Sequence, residues 1–508
     1  MQFATLGRFN RPTPLSADGA YLEADNWDDY GWKTAWTLWV VRGTDVHEIG
    51  SVKIGDTSGI PRPKVPERFS ALPYEFFSLG QGDEYYDNLN QLGDPRIRHE
   101  ILAALRDVAL DLAILDRVQQ LEVTKISLLR SVRPITVRTQ LHRIALGGAK
   151  LSPYSFSYKT SERNRDGDQA VPAVLHFEIE PTIAPKSNVH VIIGRNGVGK
   201  SHMLHDITTA LTKPGSSAGT LTFHHTGDDR LVNRFTNVVS VAFSAFDAFE
   251  PPRGQPVGKG AVSYTYIGLK TITKNEKTPT TLKNHVVLAS QFGTSLKKCV
   301  DGGRLDRWQR SLEFLKSDPL FADSVDRLLQ LADDEIRDEA REVFGELSSG
   351  HKIVLLTLTK LVETVEEATL VLLDEPESHL HPPLLSAFMG SLTELLESRN
   401  AAAIIVTHSP VVVQEVPSNC VWKISLIGGS IQAKRPTIET YGENVGTLTQ
   451  EIFGLEVTAS GFHRTLAEVV GEVTAEDGGF DQVLERLNGR LGAEARALVQ
   501  SMVYFAER

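Results

Sequence analysis

Four short stretches of this chain carry residue types that can act on a phosphate anhydride. Gly194-Arg195-Asn196-Gly197-Val198-Gly199-Lys200-Ser201 fits the pattern G-x-x-x-x-G-K-[ST]. Its glycines let the backbone curl so that successive N–H groups point at phosphate oxygens. Lys200 is long enough to reach β- and γ-phosphates, and Ser201 offers a hydroxyl to Mg²⁺, which prefers hard oxygen ligands. Leu370-Val371-Leu372-Leu373-Asp374-Glu375 is an apolar run ending in two carboxylates. The first, Asp374, is expected on the metal side, and the second, Glu375, as the base that polarises the attacking water. An ordinary solvated strand end would look the same in isolation. Thr407-His408-Ser409 places an imidazole after another apolar run, where it could bond the γ-phosphate or the attacking water, although a lone histidine is more often structural. Leu347-Ser348-Ser349-Gly350-His351 is a turn leading into an apolar helix from Ile353 to Leu361. Together these stretches predict Mg²⁺-dependent chemistry on ATP.

The elements that must position them read as an α/β core. His190 to Ile193 is a buried strand entering the phosphate loop, and Leu204, Ile207 and Leu211 keep to one helical face until the stop at Pro214, Gly215 and Ser216. Leu370 to Leu373 and Ala401 to Val406 lack polar alternation, as strands covered on both faces of a parallel sheet do. Strands alternating with helices from about 187 to 425 put a ligand site at the carboxyl ends of the strands.

The sequence divides into three parts: 1–145, a mixed region of strands and helix; 146–436, the core with a helical insertion at about 270–346; and 437–508, helix-rich. In the first part Thr34 to Val41 and Ile49 to Ile54 read as strands, and Pro95 to Leu129 as a helix of several turns. Trp27, Trp32, Trp36 and Trp39 are dense there and fit either a compact β core or a partner-binding surface.

With 508 residues, 41% hydrophobic and 23% charged, the chain is composed like a folded globular protein of several domains. No run approaches the roughly 20 apolar residues needed to cross a bilayer, and the start lacks a signal-peptide pattern, so a cytoplasmic location without membrane contact is expected. Cys299 and Cys420 alone cannot form a zinc cluster and read as buried thiols. A net charge of -11 excludes a protein that coats nucleic acid over its whole surface, but not one local groove. Between Lys270 and Lys316 ten bases stand against four acids, with Trp308 and Phe314 interspersed. That stretch is the candidate for DNA-backbone contact, against a plain solvated surface.

The phosphate loop, the Leu-Ser-x-Gly turn, Asp374 to Pro382 (Asp-Glu-Pro-Glu-Ser-His-Leu-His-Pro) and Thr407 to Pro410 resemble the cassette (ABC-type) ATPases grouped with RecF, SMC and OLD-type proteins, over roughly 150 to 430. The resemblance implies an ABC-type P-loop ATPase head with a helical lid. It also implies that Ser348, Ser349 and Gly350 meet the γ-phosphate held by another subunit, so that the active form is a head-to-tail homodimer or a higher oligomer. Glu377 to Pro382 resembles the family's D-loop and is expected at that dimer interface. Two departures stand out. Where the family usually has a Mg²⁺-sensing glutamine, the polar candidates are Ser244 and Asp247, and the span from Ser201 to Ser348 is too short for SMC arms. His379 and His381 could suggest a metal pair, but the family's loop carries such histidines without one.

Within this group the chain resembles stand-alone anti-phage defence ATPases, such as that of Septu systems, which work with a separately encoded nuclease or other toxin. No nuclease motif follows His408, so the chain is not expected to cut DNA itself. A RecF-like repair ATPase and a nucleotide-dependent scaffold with negligible turnover are the alternatives.

Overall fold

The computed structural model describes residues 1–508 apart from 149, 163–168, 214, 225–234, 245–249, 253–261, 273–279, 303, 331–335, 455–460 and 507–508. The N-terminal region is built on strands β1 (Phe3–Leu6), β2 (Gly19–Ala24), β3 (Ala35–Arg42), β4 (Asp45–Asp56), β5 (Arg68–Phe69) and β6 (Phe76–Gly80), in the order β5-β1-β2-β3-β4-β6. Only β1 and β2 pair in parallel, so local hairpins generate most of the sheet. Its core joins Leu22, Leu38, Val52, Ile54, Phe77 and Leu79 to the helices that follow.

Those helices correct one expectation. Pro95 to Leu129 is not one helix but Pro95–Ala104, Leu112–Val118 and a π-helical turn at Thr124–Leu128. The chain itself supplies the breaks. Arg106 takes a left-handed φ of 54°, and the buried Asp107 carboxylate accepts the Ala109 and Leu110 N–H groups at 2.9 and 3.1 Å. Asp111 then caps the next helix through the Ala113 N–H. Apolar spacing alone does not register such turns.

Three strands, β7 (Tyr154–Lys159), β8 (Val174–Ile179) and β10 (Thr220–His224), form an antiparallel sheet ordered β10-β7-β8. The central sheet comprises β9 (Val189–Gly194), β11 (Asn237–Ala242), β12 (Ser263–Gly268), β15 (Thr369–Asp374), β16 (Ala402–Thr407), β17 (Val421–Ile427) and β18 (Ser430–Lys434). A two-stranded ribbon of β13 (Lys270–Thr271) and β14 (Thr281–Leu282) stands apart. The central order is β12-β11-β15-β16-β9-β17-β18, parallel throughout except for the terminal hairpin of β17 and β18.

Alternation along each central strand sends side chains to two cores. Val371, Leu373, Ala403 and Ile405 join the cluster under the helices Ser349–Thr364 and Pro382–Glu397, while Leu370, Leu372, Ile404 and Val406 join the cluster under the phosphate-loop helix and the small antiparallel sheet. Burial of both faces explains why the runs at 370–373 and 401–406 carry no polar residue. The fold is thus α/β, of the P-loop ATPase type, with many helices. A small helical cluster around Leu466, Val470, Val483 and Val503 closes the chain. Among the described residues no helix is long and apolar enough to cross a membrane. Cys299 and Cys420 are both buried and free.

Candidate active site

Strand register brings the expected residues to one edge. Asp374, at the end of β15, lies between Ala242 of β11 and Val406 of β16; Thr407 lies opposite Ile193, and Gly194 opposite Ile424. The phosphate loop, the two carboxylates and His408 therefore leave adjacent strands at the same carboxyl edge, the place where parallel sheets bind ligands.

The loop needs its glycines. Gly197 and Gly199 have φ of 77° and 105°, which side chains with a Cβ rarely adopt, and a Cβ on Gly194 would stand 2.4 Å from the Ile424 carbonyl oxygen. Gly199 caps the helix Lys200–Thr212 in the left-handed conformation. The Lys200 ammonium lies under the loop, donating to the Gly194 and Arg195 carbonyls at 3.0 and 3.1 Å. Burial holds its pKa below the usual lysine range, against the opposing pull of Glu375, Glu377 and Asp374. Ser201 Oγ donates to Asp374 Oδ1 at 3.0 Å. A hydroxyl and a carboxylate touching at the start of a helix are the hard-oxygen pair that would suit Mg²⁺.

Glu375 stands in the left-handed region, with φ 44° and ψ 59°, and its N–H donates to the Val406 carbonyl at 2.9 Å. A glutamate pays a conformational penalty of about 1 kcal/mol there, and such strain gathers at functional sites. The backbone twist turns its carboxylate, about a third exposed, towards His408, whose Nδ1 lies 3.4 Å away. A third acid completes the group. Glu377 Oε1 accepts from the His408 N–H at 2.9 Å and from Thr407 Oγ1, and it stands 3.4 Å from His408 Nδ1. The Glu377 side chain is almost wholly buried, and its Oε2 has no hydrogen-bond partner among the described residues. By its motif Glu377 belongs only to an interface loop; its spacing of two from Glu375 is the signal in the sequence that both acids could face one histidine.

The Leu-Ser-x-Gly turn forms a separate feature. Ser348 caps the helix Ser349–Thr364, its Oγ accepting the His351 N–H at 3.3 Å and lying 3.1 Å from His351 Nδ1. A Cβ on Gly350 would come within 2.8 Å of the His379 carbonyl oxygen, so this helix start packs directly on the Glu377 to Pro382 segment. Ser244 lies just beyond β11 at the catalytic edge, whereas Asp247 falls outside the described residues.

The basic stretch from Lys270 to Lys316 is engaged within the chain. Lys298 and Lys360 hold Glu363 at 2.8 and 2.9 Å, Arg304 pairs with Glu366 at 3.6 Å, and Arg307 donates to the Val362 carbonyl. Lys297 pairs with Asp301 and Lys316 with Glu313, while Trp308 is fully buried and donates to Thr359 Oγ1 at 2.8 Å. Although burial alone would raise it, the Glu363 carboxyl is held at about 2 by Lys360, Lys298 and Ser295. Lys298, Lys360, Arg304 and Arg307 gather at the carboxyl end of the helix Ser349–Thr364, where its last carbonyls and dipole attract positive charge. Lys274 and Lys277 lie outside the described residues.

The N-terminal region contacts this helix end and the end of the adjoining helix His285–Asp301. Arg133 donates to the Glu363 carbonyl at 2.9 Å, Arg130 to that of Asp301 at 2.8 Å, and the buried Arg143 guanidinium meets the buried Glu367 carboxylate. The four tryptophans divide: Trp32 and Trp39 are buried and Trp36 partly so, while Trp27 is half exposed.

Residues 216–414, which begin beyond the phosphate loop, match the family model described as "AAA domain, putative AbiEii toxin, Type IV TA system". Protein ea59 of Escherichia phage lambda is 36% identical over 539 aligned residues, spanning 99% of this chain and 98% of its own length. Among solved structures, cbiO1 from Clostridium perfringens, part of the ABC transporter complex cbiONQ, aligns at 18% identity and a TM-score of 0.31, covering 60% of this chain and 95% of its own. A nucleotide-free ATP-binding cassette from an ABC transporter aligns at 17% identity and a TM-score of 0.30, covering 59% and 95%.

Proposed function

The chain belongs to the family of phage lambda protein ea59 and carries an AAA-type P-loop ATPase domain, and we propose that it is a Mg²⁺-dependent ATP hydrolase completed by two copies of the chain. One observation carries the reading: Lys200, the Ser201–Asp374 contact of 3.0 Å and the Glu375–His408 contact of 3.4 Å share one sheet edge. Lys200 exchanges two loop carbonyls for phosphate oxygens. Ser201 and Asp374 hold Mg²⁺, which when bound spreads the charge developing on the phosphates. Glu375 takes the proton of the attacking water, and His408, fixed from behind by Glu377, keeps that water aligned. Ser348 presents its hydroxyl to the nucleotide of the second copy.

In this reading the protein is a switch that closes on ATP and resets on hydrolysis, acting through a separately encoded effector in conflict between phage and host. A phage-encoded relative and a family model named for a toxin support that setting. A protein partner is favoured over DNA because three of the described bases of Lys270 to Lys316 (Lys298, Arg304 and Arg307) are taken up by Glu363, Glu366 and the Val362 carbonyl, and Lys297 and Lys316 pair with Asp301 and Glu313.

The test is steady-state ATP hydrolysis by the full chain beside Glu375→Gln, with and without duplex DNA. Loss of the general base is expected to lower turnover by about 100-fold or more, with no response to DNA. An unchanged rate in Glu375→Gln would leave only a nucleotide-dependent scaffold, and stimulation by DNA would replace the protein-partner reading with a DNA-responsive one.

A further inference from the structure

Away from the sheet edge, three potential metal ligands converge from three separate segments. Asp318 precedes the helix Pro319–Leu329, His351 sits in the first turn of the helix Ser349–Thr364, and His381 caps the helix Pro382–Glu397. One donor atom from each lies within 4.8 Å of the other two. We propose that Asp318, His351 and His381 bind a divalent transition-metal ion of the zinc class, two imidazoles and one carboxylate leaving a coordination position open.

Donor chemistry and surroundings suit this ion. Nitrogen and carboxylate donors at about 2.0–2.2 Å from a tetrahedral ion stand roughly 3.3 Å from each other. His351 Nε2 and Asp318 Oδ2 are already 3.0 Å apart. The exposed His381 ring is the one that moves to close the remaining distance. Its Nδ1 accepts the Leu384 N–H at 3.3 Å, and coordination through either ring nitrogen gives up that long contact. A ligand histidine needs a partner on its other ring nitrogen to orient it, and His351 has one, since its Nδ1 faces Ser348 Oγ at 3.1 Å. The fully buried Phe321 ring, 5.5 Å from the imidazole of His351, forms an apolar wall beside the site.

Coordination also has a consequence for Ser348. While His351 Nε2 carries its proton to Asp318, neutral Nδ1 must accept, and the Ser348 hydroxyl hydrogen is turned towards it. A cation on Nε2 displaces that proton and fixes the other tautomer: Nδ1–H now donates to Ser348 Oγ, and the serine hydroxyl hydrogen is released for an outside acceptor. This consequence rests on the reading of Ser348 as a nucleotide contact; the binding of the ion does not. The same ion would tie the Glu377 to Pro382 segment to the turn at Ser348, two features read as parts of one interface.

The experiment is a Co²⁺ titration of the full-length chain without nucleotide, followed by visible d–d absorption, with Zn²⁺ as competitor. One equivalent giving a low-symmetry band that Zn²⁺ removes is expected. His381→Gln and Asp318→Asn should each weaken binding by about 10-fold or more, and His351→Gln should abolish the band. His379→Gln and Glu375→Gln should leave it unchanged, which separates this site from the nucleotide site and keeps the result independent of hydrolysis. Should His351→Gln fail to fold, the exposed His381 decides. Absence of the band, or an affinity in His381→Gln or Asp318→Asn equal to that of the unsubstituted chain, would overturn the assignment.

Discussion

The N-terminal sheet and the carboxyl edge of the central sheet use charge in opposite ways. In the core, acids and a lysine gather at an accessible sheet edge around Ser201, Asp374, Glu375 and His408, and the strands beneath them are apolar on both faces. In the N-terminal region, the charges of Asp29 and Arg143 are buried and paired. Asp29 is wholly enclosed, with Lys53 at 2.7 Å and Arg130 at 2.6 Å, and Arg143 reaches out of the region to the equally enclosed Glu367. Burial alone would raise the Asp29 pKa, yet hydrogen bonds from Lys53, Ser127 and Arg130 hold it below the usual carboxylate range. Charge at the core edge is arranged to meet a ligand, whereas charge in the N-terminal region fixes how that region sits on the end of the helix Ser349–Thr364. Arg133, on the Glu363 carbonyl, and Arg143, on Glu367 just beyond it, thus fix the N-terminal region to the far end of the helix that Ser348 caps.

The largest expected effect breaks that hold. Arg143→Met leaves Glu367 buried without its cation and should cost about 3–5 kcal/mol, whereas Arg143→Met with Glu367→Leu should recover most of the loss. Chemical denaturation monitored by tryptophan fluorescence distinguishes the two outcomes. If the single and double variants are equally unstable, the pair is not the clamp.

Acid should separate the two regions by sign. His190, buried in β9, has its pKa pushed by burial down to about 3. Its unfolded form binds a proton below about 6.5 and its folded form does not, so stability falls as pH drops from about 6.5 to 3, by about 2 kcal/mol at pH 5. Buried Asp107 is pushed up to about 6. Its folded form binds the proton first, so between about 6 and 3.8 acidification adds stability, about 1 kcal/mol at pH 5. Hydrogen exchange corrected for intrinsic rates should show β9 loosening, and the turn at Asp107 tightening, between pH 7 and pH 5. Asn at either position should remove its own trend. Parallel trends would contradict the contrast.

Smaller effects sharpen it further. Glu377→Gln keeps the backbone contact to His408 but removes the charge, and should lower turnover by about 10-fold with little change in KM, because His408 is held less firmly. Charge reversal at Lys297 and Lys316, whose partners Asp301 and Glu313 lie within one helical turn, should shift stability by no more than about 0.5 kcal/mol. A drop in DNA affinity for that variant would instead restore a role for the basic stretch.

Much of the core is legible in the sequence because its signals are local. A glycine loop with Lys200 and Ser201, an apolar run ending in Asp374 and Glu375, and another ending at Thr407 each encode one element and its ending, and the parallel sheet aligns them. What escaped the sequence depends on partners distant in the chain. The bases from Lys270 to Lys316 read alike in the sequence, although Lys298 and Arg304 among them face Glu363 and Glu366. The helix expected from Pro95 to Leu129 fails because Asp107 and Asp111 bind backbone N–H groups, which outweighs an intact apolar period. Asp318, His351 and His381 come from three segments and share no spacing that a sequence motif could reveal.

The most direct test of a switch built from two copies is sedimentation of Glu375→Gln with and without Mg²⁺–ATP, beside the same variant carrying Lys200→Ala or Ser348→Arg. ATP is predicted to convert Glu375→Gln into a dimer, with both added substitutions preventing the change. An unaltered sedimentation coefficient on adding ATP, or a dimer that forms equally well with Ser348→Arg, would contradict the account.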